Sequence, residues 1–150
     1  MLAVRIQTET LKLVATTREI EETSGSAALL LVDSRAPDRY RGENETIDPV
    51  AGHIPGAENF HYALTLDSQG FYLPPEKLKD LFDGILSGRP PGEAVFYCGS
   101  GVSAGQNLVA MAAAGIHGAR LYAGSWSEWI ADPSRPVAAG AAEPEKGPNQ

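Results

Sequence analysis

Cys98 is the only thiol in a chain of 150 residues, and it is followed by Gly99, Ser100, Gly101, Val102 and Ser103. Small residues in this order let the backbone curl so that successive N–H groups converge into an anion-binding nest. A helix starting at the end of such a turn adds the positive end of its dipole. Those donors would stabilise a thiolate at the rim and would equally hold an anion carried on the sulfur, which is nucleophile chemistry. The alternative is a small buried hydrophobe before a tight strand-to-helix turn, since free cysteines are often buried. One cysteine can form neither an internal disulfide nor a thiolate zinc cluster. His61 and His117 have no partners at metal-ligand spacing, so no metal and no cofactor are expected.

The elements that must position this turn alternate between strand and helix signals. Cys98 ends the apolar run "EAVFYC" (93–98), and "ALLLVD" (28–33) reads equally as a strand buried on both faces. "LKLVAT" (11–16) is a short β-type run, and Thr16 with Glu19 makes a capping box for a helix through about Thr23. Residues 34–60 are polar, with turn signals at Gly52, Pro55 and Gly56, and read as one long connection. In "PPEKLKDLFDGIL", Pro75 suits the first helical position and Leu78, Leu81, Phe82 and Ile85 share a face.

A second helix is expected from about Ser103 to Ala114, then a strand in "ARLYAG" (119–124) and a short helix in "SWSEWIAD" (125–132) stopped by Pro133. Trp126 and Trp129, spaced i, i+3, read as core or pocket wall. The alternation predicts a three-layer α/β domain with a mainly parallel central sheet flanked by helices, and it puts Cys98 in the crevice at the carboxyl end of that sheet. The boundaries read as an N-terminal lead at 1–10, one domain at 11–137, and an Ala/Gly/Pro/Glu-rich tail at 138–150 expected to be disordered.

The net charge of −7 and pI near 4.9 argue against nucleic acid or an anionic membrane as partners. No apolar run approaches the roughly 20 residues of a transmembrane helix. "MLAVRIQTETLKL" lacks the apolar core of a signal peptide, so a cytoplasmic location is expected.

The motif "CGSGVSA" beginning at Cys98 resembles the active-site loop of the rhodanese-type sulfurtransferases, in the form found in the 3-mercaptopyruvate branch. "LLVDSRAPDRYRGENETIDPVAGHIPGAEN" and "ARLYAGSWSEW" are similar to the family's blocks before and after the catalytic helix, in the family's order. Together they resemble the catalytic, C-terminal member of a tandem pair of rhodanese-like domains. The resemblance implies a ping-pong enzyme in which the Cys98 thiolate takes a sulfane sulfur from a small-molecule donor as a persulfide. The acceptor would be cyanide, a thiol or a thioredoxin-like protein. It further implies that the backbone of Gly99, Ser100, Gly101, Val102 and Ser103 cradles the persulfide and that Arg39 binds the donor. Ser103 could equally be a helix N-cap, and Arg39 a solvated loop charge.

Within this resemblance, a loop without charge favours 3-mercaptopyruvate over the dianion thiosulfate, whose users carry basic residues there. Arg35 is expected to pair with Asp33 and prop the loop, and His53 to act as a turn residue beneath the site rather than as a general base. The second substrate arginine of some members is missing, because residues 43–50 contain no Arg or Lys. A first domain would be supplied by a partner or by a longer chain. A cysteine-phosphatase reading fails because Ala104 stands where that chemistry needs arginine. The remaining alternative is a partner-dependent persulfide carrier or thiol sensor.

Overall fold

The computed structural model describes residues 13–141. Four parallel strands form the central sheet: β1 (Leu30–Asp33), β2 (Glu58–Asn59), β3 (Ala94–Tyr97) and β4 (Arg120–Leu121), in the order β2-β1-β3-β4. The central register pairs Leu30 with Ala94 and Asp33 with Tyr97. From β1 the chain moves outward to β2, then returns across the sheet to β3, so a topological switch point lies between β1 and β3. Ligands of open α/β sheets bind in the crevice outside the carboxyl ends of strands at such a point.

Both central strands are buried along their whole length, which explains their unbroken apolar sequence. Alternate residues feed two cores. Leu30, Val32, Ala94, Phe96 and Cys98 pack with α3 (Pro75–Leu86) and α4 (Val102–Ala113). Leu31, Val95 and Tyr97 pack on the opposite face with Ile20 of α1 (Thr17–Thr23), Tyr40 of α2 (Pro37–Arg41), and Trp126 and Trp129 of α5 (Ser125–Trp129). Two helical layers thus enclose a parallel sheet, the architecture that the alternating pattern predicts. Both tryptophans are core residues, with their indole N–H groups donating to Val50 O and Pro136 O.

Several boundaries differ from the sequence reading. The connection at 34–60 holds α2 and β2, a five-residue helix and a two-residue strand. Neither is long enough to carry a hydrophobic period, although Pro37 at the first turn and Gly42 at φ +75° mark the ends of α2. The helix after Cys98 begins at Val102, and its N-cap is Gly101 in a left-handed conformation, so Ser103 lies inside the helix and is not its cap. In the capping box, Thr16 accepts from Glu19 N at 3.2 Å, but the Glu19 carboxylate pairs with Arg120 instead of closing the box. The described part of the 11–16 run forms a single parallel bridge, Val14 to Leu121, rather than a strand.

The lead at 1–10 and residues 142–150 lie outside the described residues. Residues 138–140 belong to the fold. Ala138 exchanges backbone hydrogen bonds with His53 at 2.8 and 2.9 Å, and Gly140 N donates to Arg41 O. This return is possible because Gly52, at φ +116°, lets Ala138 O come where a Cβ would stand. No helix among the described residues is long and apolar enough to cross a membrane.

Candidate active site

β3 delivers Cys98 to the end of the sheet with its side chain in the α3/α4 core, 2% exposed. The chain then turns through Gly99 and Ser100 to Gly101, whose φ of +94° and 2.6 Å gap between an ideal Cβ and Ala123 O admit only glycine. The turn aims Gly101 N–H at Cys98 Sγ, 3.0 Å away. Sulfur at this position therefore receives a donor directly at the N-terminus of the 12-residue helix α4.

α5 fixes the remaining orientation. Trp126 N donates to Cys98 O and Ser127 N to Gly99 O, each at 3.0 Å, and Ser127 Oγ also donates to Gly99 O at 2.7 Å. Every peptide bond described is trans, and in a trans peptide the N–H opposes the C=O. Tying the Cys98 and Gly99 carbonyls to α5 therefore turns the Gly99 and Ser100 N–H groups away from it. The first N–H groups of α4, on Val102 and Ser103, have no partner within the helix. Of these donors, the Gly101 N–H is the one that meets Sγ.

Ser125 anchors this arrangement. Its Oγ accepts from Cys98 N at 3.1 Å and donates to Tyr122 O at 2.9 Å, both buried. To do so Ser125 adopts φ +57°, uncommon for a residue with a Cβ. Nothing local in "AGSWSEW" distinguishes this serine from an ordinary helix start. Asn107 was also not singled out, although an amide inside an apolar helical run was the available signal. Fully buried, it donates to Ser34 Oγ at 2.9 Å and Phe60 O at 3.3 Å, joining α4 to the ends of β1 and β2.

The residues expected to support the site form a buried ladder. Arg35 grips Asp33 through Nε at 3.0 Å and Nη2 at 2.6 Å, and Nη2 also reaches Gly52 O at 2.7 Å. The guanidinium lies over Trp126, 4.9 Å from the ring centroid. Burial favours its neutral form, but the Asp33 carboxylate more than offsets this and keeps Arg35 charged. Asn59 Nδ2 closes the turn by donating to Asp33 O and Arg35 O.

His53 is 4% exposed; its ring stacks on Tyr40 at 3.8 Å and Nδ1 donates to Tyr40 O at 2.7 Å. Burial pushes its pKa down, partly opposed by that hydrogen bond, which keeps the ring neutral. These contacts join the 52–53 turn to α2.

α2 brings Arg39 to the cysteine loop. The end of its guanidinium lies beside Gly99, with Nη1 and Nη2 at 3.7 and 3.8 Å from where a Cβ would stand, the distance of ordinary van der Waals contact. Nη2 contacts Asp48 at 2.9 Å and Glu45 at 3.2 Å, whereas Nη1 makes no hydrogen bond among the described residues. Glu45 and Asp48 were not recognised in the sequence, where they are two acids of a polar loop. Burial works to raise the Glu45 pKa, but the Asp48 and Ile47 N–H groups and Arg39 outweigh it and hold the carboxyl below its ordinary value. The end of the sheet therefore brings together the Cys98 thiol, the Gly101 N–H directed at it and the Arg39 guanidinium beside the same loop.

The Rhodanese-like domain family model matches residues 16–132. A "Probable 3-mercaptopyruvate sulfurtransferase" of Pseudomonas aeruginosa is 58% identical over 116 residues, covering 77% of this chain and 41% of the relative. A "Putative thiosulfate sulfurtransferase SseB" of Mycobacterium tuberculosis is 44% identical over 123 residues, covering 81% and 42%. The crystal structure of the Tum1 protein from Saccharomyces cerevisiae superposes with a TM-score of 0.73 at 26% identity, over 87% of this chain and 47% of that one. The chain spans about two fifths of the length of the curated relatives it matches. By the family model and by its fold, the chain belongs to the rhodanese-like domain family.

Proposed function

We propose that the protein is a sulfurtransferase that moves a sulfane sulfur from 3-mercaptopyruvate, or less readily thiosulfate, through a persulfide on Cys98 to a thiophilic acceptor. The observation that carries this reading is the Gly101 N–H directed at Cys98 Sγ, with Arg39 against the same loop. In the first half-reaction the thiolate attacks the donor sulfur. The Sγ–S bond forms and the carbon–sulfur bond of mercaptopyruvate breaks, leaving the enolate of pyruvate to take a proton. In the second, cyanide or a thiol attacks the outer sulfur, and the Sγ–S electron pair returns to Cys98. The outer sulfur carries negative charge between these steps, which the Gly99, Ser100, Gly101, Val102 and Ser103 backbone donors stabilise.

Arg39 receives the donor carboxylate through Nη1. Asp33, Arg35 and His53 support the loop without touching the reacting atoms. A second rhodanese-like domain, on a partner or a longer chain, completes the cleft in this reading, and a thiol or thioredoxin-like protein is the acceptor. A cytoplasmic setting suits it, because Cys98 must return to a free thiol in each cycle. The test is thiocyanate formation from cyanide with each donor, for the wild type and Cys98→Ser. Turnover that is lost in the variant supports the reading. Wild-type turnover that survives in Cys98→Ser, or a Cys98 that takes no sulfur from either donor by mass spectrometry, overturns it.

A further inference from the structure

Two guanidiniums and three carboxylates form one connected cluster that reaches Gly99 through Arg39. Arg35 is paired with Asp33, Glu45 lies between Arg35 (3.8 Å) and Arg39 (3.2 Å), and Asp48 holds the same Nη2 of Arg39 at 2.9 Å. Glu45 is itself held in place: its Oε1 accepts from Ile47 N and Asp48 N at 2.9 Å each, so the two acids form one rigid unit. Arg39 is therefore not a free cation. Its charge is compensated twice over, the whole cluster carries one net negative charge, and Nη1 is the guanidinium nitrogen that makes no hydrogen bond among the described residues.

We infer that Asp48, acting with Glu45 through Arg39, is a specificity-determining residue that biases the site toward singly charged sulfur donors and against doubly charged ones. This inference rests on the sulfurtransferase reading above. A donor with one carboxylate and a neutral thiol needs only the directional hydrogen bonds of Nη1, which the two acids preserve by fixing the guanidinium. A dianion gains from the same hydrogen bonds but meets the excess negative charge twice as strongly. The selection thus comes from a carboxylate one residue away from the ligand, in addition to the absence of charge in the 99–103 loop.

The experiment compares kcat and KM for 3-mercaptopyruvate and thiosulfate, with cyanide as acceptor, in the wild type, Asp48→Asn, Asp48→Glu and Glu45→Gln. Asp48→Asn keeps the shape and removes the charge. For a carboxylate held on the Arg39 guanidinium that would bind the donor, the thiosulfate-to-mercaptopyruvate ratio of kcat/KM rises roughly three- to tenfold, mainly through KM for thiosulfate. Glu45→Gln moves the ratio in the same direction, Asp48→Glu restores it, and added salt shrinks the difference between wild type and Asp48→Asn. An equal fall in kcat for both donors marks a merely structural role and overturns the inference, as does an unmoved ratio in both neutralised variants. Those outcomes leave Cys98 as nucleophile. If Cys98 takes up sulfur from neither donor, the sulfurtransferase reading fails and this one fails with it.

Discussion

Replacing Gly101 by alanine tests the geometry of the cradle most directly. The new Cβ would stand 2.6 Å from Ala123 O, a backbone atom that cannot rotate away, and the residue would have to keep φ near +94°. Gly70 provides the control: it has φ +85° with nothing within 4 Å of its ideal Cβ, so alanine there meets the conformational penalty alone. That penalty is about 1 kcal/mol, partly offset by the smaller entropy of the unfolded chain. At position 101 the collision adds to it. Relief requires either the loop or the 122–124 turn to move, at roughly 1–3 kcal/mol for an overpacked site. The expected order is a loss of about 1 kcal/mol or less for Gly70→Ala and about 2–4 kcal/mol for Gly101→Ala, measured by urea unfolding with matched m-values. Sulfur transfer separates them further. Gly101→Ala displaces the N–H that meets Sγ and should cost at least tenfold in kcat/KM, whereas Gly70→Ala stays near wild type. Equal stability losses for the two variants would refute the claim that the Ala123 carbonyl dictates glycine at 101. Full activity in Gly101→Ala would refute the role given to its N–H.

Two further predictions concern the supporting groups. Arg35→Lys keeps the charge but cannot reproduce the paired contacts to Asp33 together with the one to Gly52 O, and Arg35→Met leaves the Asp33 carboxylate buried without its partner. The expected losses are roughly 2 and 3–5 kcal/mol respectively by urea unfolding, and a methionine variant as stable as the wild type would sink the ladder as a structural element. Burial lowers the His53 pKa from its ordinary 6.5, and burial lowers that of His61 as well. The folded state therefore binds fewer protons than the unfolded chain, so stability is full above about pH 6.5 and falls as the pH drops from there toward the depressed folded-state values. Urea midpoints between pH 8 and 5 should show this decline, shallower in His53→Gln; a flat or rising profile over that interval would contradict the assignment.

What could be read from the sequence, and what could not, follows from the range of the interactions. β1 and β3 are legible because burial on both faces demands a continuous apolar run, and α3 because Leu78, Leu81, Phe82 and Ile85 recur at helical spacing, Leu78 and Phe82 buried and Leu81 and Ile85 packed beside them. The Cys98 turn is legible because its geometry depends on residue types at adjacent positions. α2 and β2 are too short for any period to register. The anchors of the site are invisible for a different reason: Ser125 meets Cys98 across 27 positions of sequence and Asn107 meets Ser34 across 73, so their roles exist only once the sheet has formed. Arg39 was recognised through its motif, but its pairing with Glu45 and Asp48 depends on how the 43–50 loop folds back, which composition alone does not specify.

The same long-range contacts explain why a flexible-looking Gly-Ser-Gly turn holds one shape. Glycine supplies the conformations but also the entropy that would let the loop wander. The freedom is removed from outside: α5 holds two consecutive carbonyls of the turn, Ser125 holds the N–H at its start, and Ala123 O blocks the space beside Gly101. All of these come from residues 123–127, immediately after β4, whose pairing with β3 brings that segment beside the end of the neighbouring strand. The Gly101 N–H that meets Sγ is thus oriented by the fold itself, and in the proposed reaction it would stand ready before sulfur is bound. Preorganisation of this kind is what makes N–H groups effective toward a developing negative charge, because no reorientation is needed as the charge arrives. The strained backbone at Ser125 belongs to the same account: its positive φ puts one hydroxyl between Tyr122 O and Cys98 N, and so ties the end of β4 to Cys98.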